Sequence, residues 1–328
     1  MIKKFDVKKA LNQNSIWLAL IALCIFVAIM RPVFLTPTNI TNLLQTESIK
    51  GIMTIGVMFT ILSRGIDLST SGVLALSSVV SASLVQEITA TNKMFEGMYP
   101  VHPIIAVAAG LAVGVGFGLF NGALIAYAKL PAFIATLGTM LISRALAQLY
   151  TNAFPVPMLS PEFRSIGQGR WIFDIPNSII AFLIVLIIGW FLLTQTRYGK
   201  NVYAIGGNEV AARVAGVNVE KNIIKVYMWS STCAAFAGIL IASRVGSGNS
   251  NLGYGFELDA IAAATVGGVS HSGGVARMSG VIAGIFLLGV VNNGLLLLGV
   301  SPYIQNVVRG LIIIGAVMFD MRKVAKRA

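Results

Sequence analysis

An all-α polytopic membrane protein of about ten transmembrane helices is what this sequence predicts. Three observations lead there. Of the 328 residues, 56% are hydrophobic and only 11% charged, and the mean hydropathy is +0.82; too little polar surface remains to clothe a water-soluble domain of this size. Apolar segments of membrane length follow one another almost without pause. The basic residues behind the formal charge of +12 gather at segment ends: Lys3, Lys4, Lys8 and Lys9 precede the first apolar run, Arg322, Lys323, Lys326 and Arg327 follow the last, and five more lie in one central loop. Basic residues so placed mark cytoplasmic loops, and they argue against the nucleic-acid partner that such a charge would suggest in a soluble protein.

A helix crosses the hydrocarbon with about 20 residues. The segments that meet or approach this length are 15–35, 42–62, 70–87, 103–127, 131–150, 177–195, 224–243, 256–270, 277–298 and 303–320. The first reads as a retained helix rather than a cleaved leader, because it is long, ends in Arg31-Pro32 and shows no small-residue cleavage site. The second and eighth depart furthest from the pattern, since Glu47 and Lys50 interrupt one and Glu257 and Asp259 shorten the other.

If the basic termini, 1–14 and 321–328, are both cytoplasmic, the crossings are even in number. Ten crossings put the sparsely charged stretches 86–102 and 150–176 outside and return the loop 197–225, with Arg197, Lys200, Arg213, Lys221 and Lys225, to the cytoplasm. Eight match only if a pair is deleted. The chain 1–328 thus reads as a single transmembrane domain with one cytoplasmic loop long enough to meet a soluble partner, an arrangement that points to transport rather than anchoring.

Glycines number 34, and Gly110, Gly114, Gly116, Gly118 and Gly122 fall within one apolar segment. In a membrane, small residues let helix backbones approach closely, and tight packing is the plain reading for most of them. Cys24 and Cys233 both lie in apolar segments and behave as small hydrophobes; no spacing suggests a metal site.

Two stretches resemble each other. Gly65-Ile66-Asp67-Leu68-Ser69 precedes Asn121-Gly122, Pro131 and Ile134; Gly255-Phe256-Glu257-Leu258-Asp259 precedes Asn293-Gly294, Pro302 and Ile304. Units of five helices would make the second copy run upside down, so a 5+5 inverted repeat is expected, with the pathway at the repeat interface.

Acids within membrane segments are costly and face protein or water. Arg64 lies three residues before Asp67, one helical turn away, and is placed to pair with it. A pathway or gating role for Arg64 and Asp67, and a structural role with Asp67 capping the helix that starts near Ser69, stand side by side. Glu257 is the counterpart of Asp67 in the second copy. Asn121, Asn292, Asn293, Gln305 and Asn306 are neutral amides in apolar surroundings; they suit a polyol route, and equally interhelical hydrogen bonding. His271, in the turn 267–274, reads as a solvated loop residue.

In the central loop, Asn208 is a plausible cap, Glu209 favours a helix start and Gly216 a stop, so a short surface helix is expected across Glu209, Ala211, Ala212 and Arg213. Held under the membrane, it would act as a lever.

Taken together, Gly65-Ile66-Asp67-Leu68-Ser69, Asn121-Gly122, Tyr203 to Asn208 with Ala211 to Gly216, Asn292-Asn293-Gly294 and Gln305 to Asp320 resemble the carbohydrate branch of bacterial ATP-binding cassette importer permeases, the ribose, xylose, allose and autoinducer-2 type. The resemblance covers nearly the whole chain. It implies a homodimer in the inner membrane, a cytoplasmic ATPase that binds ATP and Mg, a periplasmic or lipid-anchored sugar-binding protein, and kinship with the ten-helix, vitamin B12-type (type II) permeases. It also implies that Gly207, Asn208, Glu209, Ala211, Ala212, Arg213 and Gly216 couple to the ATPase. Two departures stand out: Glu209 sits one residue further from Ala211-Ala212 than the coupling motif has it, with no Leu-Pro following, and Thr70-Ser71-Gly72 stands where the family has Val-Gly.

The chain has no phosphate-binding G-x-x-x-x-G-K-S/T pattern, so it does not hydrolyse ATP by that route itself. Three other classes compete: an ion-coupled secondary carrier using Asp67 and Glu257, a permease for nucleosides or other small solutes, and an intramembrane enzyme. The last lacks the paired-aspartate metal motif it would need.

Overall fold

The structure is a computed structural model that describes residues 15–90 and 93–325. The basic residues Lys3, Lys4, Lys8, Lys9, Lys326 and Arg327 lie outside the described residues. Thirteen α-helices and one short 3-10 helix (Pro32–Leu35) make up the helical structure among the described residues; the α-helices are α1 (Ser15–Met30), α2 (Pro37–Leu62), α3 (Thr70–Leu84), α4 (Pro103–Ala126), α5 (Ala132–Thr151), α6 (Pro161–Gln168), α7 (Asn177–Thr194), α8 (Arg197–Gly207), α9 (Glu209–Val214), α10 (Val219–Val245), α11 (Phe256–Val266), α12 (Met278–Leu297) and α13 (Pro302–Ala325).

Six of these helices, α4, α5, α7, α10, α12 and α13, are long and apolar enough to cross a membrane. Helices α1 and α3 are apolar but shorter. The two segments that departed furthest from the pattern are helical as well: α2 is 26 residues long and carries Glu47 and Lys50, whereas α11 has only 11 residues. Sequence inspection did not anticipate α6, a short helix started by Ser160, whose hydroxyl accepts from the Phe163 amide, nor α8, whose start is capped by Thr196.

Helices α2 and α10 form the centre. From Glu47 to Leu62 every residue of α2 is buried, a pattern expected of a helix surrounded by other helices rather than one with a single apolar face. Helix α10 packs against α2, α3 and α4, while α2 packs against α7, α11 and α12. The α4–α10 contact depends on small residues. Gly110, Gly114, Gly118 and Gly122 recur every fourth residue and are buried; a methyl at any of them would run into α10, against Ile239, Ala235, Met228 or Ile224. Gly116 has open space around it, so four of the five glycines act in packing and one does not.

Outward faces are apolar. Ile104, Ile187, Leu149, Ile304, Leu311 and Phe319 are each more than half exposed, as suits side chains facing hydrocarbon. Two breaks interrupt the central helices: α2 stops at Leu62 and α3 begins at Thr70, and α10 stops at Val245 and α11 begins at Phe256. Non-helical backbone is tolerated at membrane depth only where protein surrounds it, and Asp67, Leu68 and Ser69 in the first break are buried.

Candidate functional site

The loop between α7 and α10 folds into α8 and the short helix α9. Asn208 caps α9, its side-chain oxygen accepting from the Ala211 amide at 3.0 Å, and Gly216 ends it with φ at 84°. Arg213 donates to Glu209 at 3.4 Å and to Glu220 at 2.8 Å. These carboxylates, Glu220 first, raise the pKa of its already basic guanidinium. Glu220 also takes Lys129 at 3.3 Å, which ties α9 to the start of α10 and to the α4–α5 connection. Ala212 is buried with Ile205 and Val219, whereas Val210 and Val214, one turn apart on the other side, are 73% and 85% exposed. Sequence inspection singled out neither valine; their i, i+4 spacing on a capped helix was the available signal.

Arg64 does not pair with Asp67, contrary to expectation. The helix ends at Leu62, so the one-turn spacing no longer applies, and Arg64 takes φ at 64°, a conformation that costs a non-glycine residue energy. Its guanidinium donates instead to the Ser272 carbonyl at 2.8 Å and the Gly207 carbonyl at 2.7 Å. The Gly274 amide donates to the Leu62 carbonyl at 2.9 Å, and a side chain at Gly206 would collide with that same carbonyl. The end of α2, the end of α8 just before α9 and the loop 267–277 therefore meet at one junction. His271 lies in that loop and is not simply solvated: its ring shares a 2.8 Å hydrogen bond with Thr265, and its amide donates to Asp320 at 2.9 Å. Burial pushes its pKa below the usual imidazole value, against the charge of Asp320.

Asp67 is fully buried. One of its oxygens accepts from the Ser69 amide at 3.0 Å and the Ser69 hydroxyl at 2.6 Å. Asn121 donates to that hydroxyl at 2.9 Å and accepts from Thr139 at 2.7 Å. This chain joins the first break to α4 and α5 and secures the start of α3, while the other Asp67 oxygen is buried without a hydrogen-bond partner.

Glu257 and Asp259 sit in the first turn of α11. Asp259 lies 3.2 Å from Lys50 and 2.8 Å from Arg309, and Lys50 lies 3.3 Å from Glu47. Asn292 lines a small cavity with Glu47, Lys50 and Asp259. Sequence inspection noted three of these charges only as interruptions and missed Arg309; lone charges of both signs in apolar helices were the signal that they meet. The other amides are not gathered here. Asn293 forms a reciprocal pair with Asn39 at 3.0 and 2.9 Å, Gln305 donates to the Val300 carbonyl at the start of α13, and Asn306 is exposed.

The model of the family described as "Branched-chain amino acid transport system / permease component" matches residues 39–317. The chain belongs to that permease family. The galactose/methyl galactoside import permease of Haemophilus influenzae is 40% identical, the match covering 99% of this chain and 98% of that protein. The ribose import permease of Bacillus subtilis is also 40% identical, over 98% and 97%, and that of Escherichia coli K12 is 39% identical, over 98% and 97%. No solved structure matches the chain. The resemblance carried by the motifs therefore extends to full-length similarity with sugar import permeases.

Proposed function

We propose that this permease is the membrane-spanning subunit of an ATP-binding cassette importer that moves a monosaccharide or related polyol inward by alternating access. One observation carries the reading: a capped helix, α9, turns Val210 and Val214 to solvent, while Arg64 bonds Gly207, the end of α8 just before it, and Ser272 in the opposing loop. Apolar side chains exposed on a short connecting helix suit a protein partner, and the Arg64 junction gives a push on α9 a route into α2 and into the loop before α12.

With no phosphate-binding loop in this chain, the driving ATPase, with its ATP and Mg, is a separate subunit. A sugar-binding protein on the opposite face and a second permease copy complete the assembly. The sugars printed for the relatives, galactose and ribose, favour a neutral hydroxylated solute over the amino acid of the family's description.

Cross-packing supports the 5+5 inverted repeat. Helices α2 and α10 are each followed by a break and a shorter helix, and each packs against the short helix of the other half, α10 on α3 and α2 on α11. On this reading α1–α5 and α7 with α10–α13 make ten crossings of one domain in the bacterial cytoplasmic membrane, with both termini and the loop 197–225 cytoplasmic. Purification of the tagged permease in mild detergent should recover an ATPase and a sugar-binding protein. An ATPase-free permease that still transports would make it a secondary carrier instead.

A further inference from the structure

We propose that Glu47, Lys50, Asp259 and Arg309, with Asn292, form a hydroxyl-binding stretch of the solute route, shut in this conformation; the assignment rests on the importer reading above. The cluster draws on α2, α11, α12 and α13. Two acids face two bases, so the group is neutral overall, and either sign of permeant ion meets a like charge. A neutral polyol does not, and its hydroxyls can both donate to Glu47 and Asp259 and accept from Lys50, Arg309 and Asn292.

Buried polar groups in a finished core are paired; here the pairing is by charge, and the hydrogen bonding is incomplete. Asp259 is 4% exposed, yet neither of its oxygens, nor Nε of Arg309, makes a hydrogen bond of good geometry within the protein, despite the short charge separations. Nearby, Oε2 of Glu257 is likewise buried and unpartnered. Glu47, Lys50, Asp259 and Asn292 face a cavity of about 10 Å³, room for about one water and far less than a sugar. Arg309 is the most accessible member, its side chain 25% exposed, and it belongs to α13, which packs on α11. Separation of α13 and Arg309 from α11 and Asp259 would widen the cavity and free on both sides the groups a sugar hydroxyl can replace.

The test uses the complete importer, permease with ATPase and sugar-binding protein, in proteoliposomes with labelled galactose and ribose. Asn292→Leu and Lys50→Met should each cut uptake by about tenfold or more, the loss of a charge-assisted hydrogen bond, while the complex still assembles and the loaded binding protein still stimulates ATP hydrolysis. Uptake at the unsubstituted rate in both would overturn the assignment. A second measurement covers variants that fail to assemble. Asn292→Cys, in a chain with Cys24→Ser and Cys233→Ala, should react with a membrane-impermeant thiol reagent during ATP turnover and more slowly with saturating sugar. No reaction in any nucleotide state would overturn the assignment. Absence of ATP-dependent uptake by the unsubstituted complex would overturn the importer reading itself.

Discussion

Asp67 and Asp259 both lie where a short helix follows a break in the bundle, and both are buried, but their surroundings are of opposite kinds. One oxygen of Asp67 accepts from neutral donors, Ser69 twice over, with Asn121 and Thr139 extending the chain, while its other oxygen is buried without a hydrogen-bond partner. Asp259 stands between Lys50 and Arg309, at short distances but with poor hydrogen-bond geometry. Hydrogen bonds are short-ranged and directional, so the first arrangement fixes one shape. Charge–charge attraction falls off slowly and depends little on angle, so the second persists while its helices shift. On the inverted-repeat reading proposed above, corresponding points of the two halves hold a hydrogen-bonded joint and an ion-paired one.

That contrast predicts a ranking. Asp259→Ala leaves Lys50 and Arg309 uncompensated in buried surroundings and should destabilise the permease most, by about 3–5 kcal/mol; thermal unfolding in detergent checks this, and a change near zero would remove the distinction between the joints. Asp67→Ala strands two donors and should cost about 1–3 kcal/mol, with Asp67→Asn closer to the unsubstituted protein because an acceptor oxygen remains. For Asp259→Asn the expectation reverses: uptake should suffer more than stability. Arg64→Ala removes two hydrogen bonds to carbonyls and should cost about 1–3 kcal/mol at most, yet coupling should fail: ATP hydrolysis continues in the assembled complex without matching uptake. Smallest in stability is the pair Val210→Ser with Val214→Ser, within about 0.5 kcal/mol on an exposed surface, although co-purification of the ATPase should be lost.

Much of this was legible in the sequence. Segment positions followed from apolar runs alone, and Asn208, Glu209 and Gly216 announced α9 because caps and stops are local. What depended on distant partners was not legible. The Arg64–Asp67 pair was inferred from helical spacing, which the stop at Leu62 abolishes, and the real partners, Gly207 and Ser272, are far along the chain. Lys50, Asp259 and Arg309 sit on three different helices, so Lys50 and Asp259 read only as interruptions of apolar segments and Arg309 was passed over. The amides divided for the same reason: Asn292 and Asn293 are adjacent in sequence but on different faces of α12, one toward the charge cluster and one toward Asn39.

The central claim is that work done elsewhere enters this permease through α9. The most direct measurement is uptake of labelled sugar into proteoliposomes holding the complete importer, with and without Val210→Asp and Val214→Asp. The account predicts uptake that requires ATP in the unsubstituted complex, and neither ATPase binding nor uptake in the doubly substituted one. Uptake that proceeds without ATP, or that survives both substitutions undiminished, would contradict it.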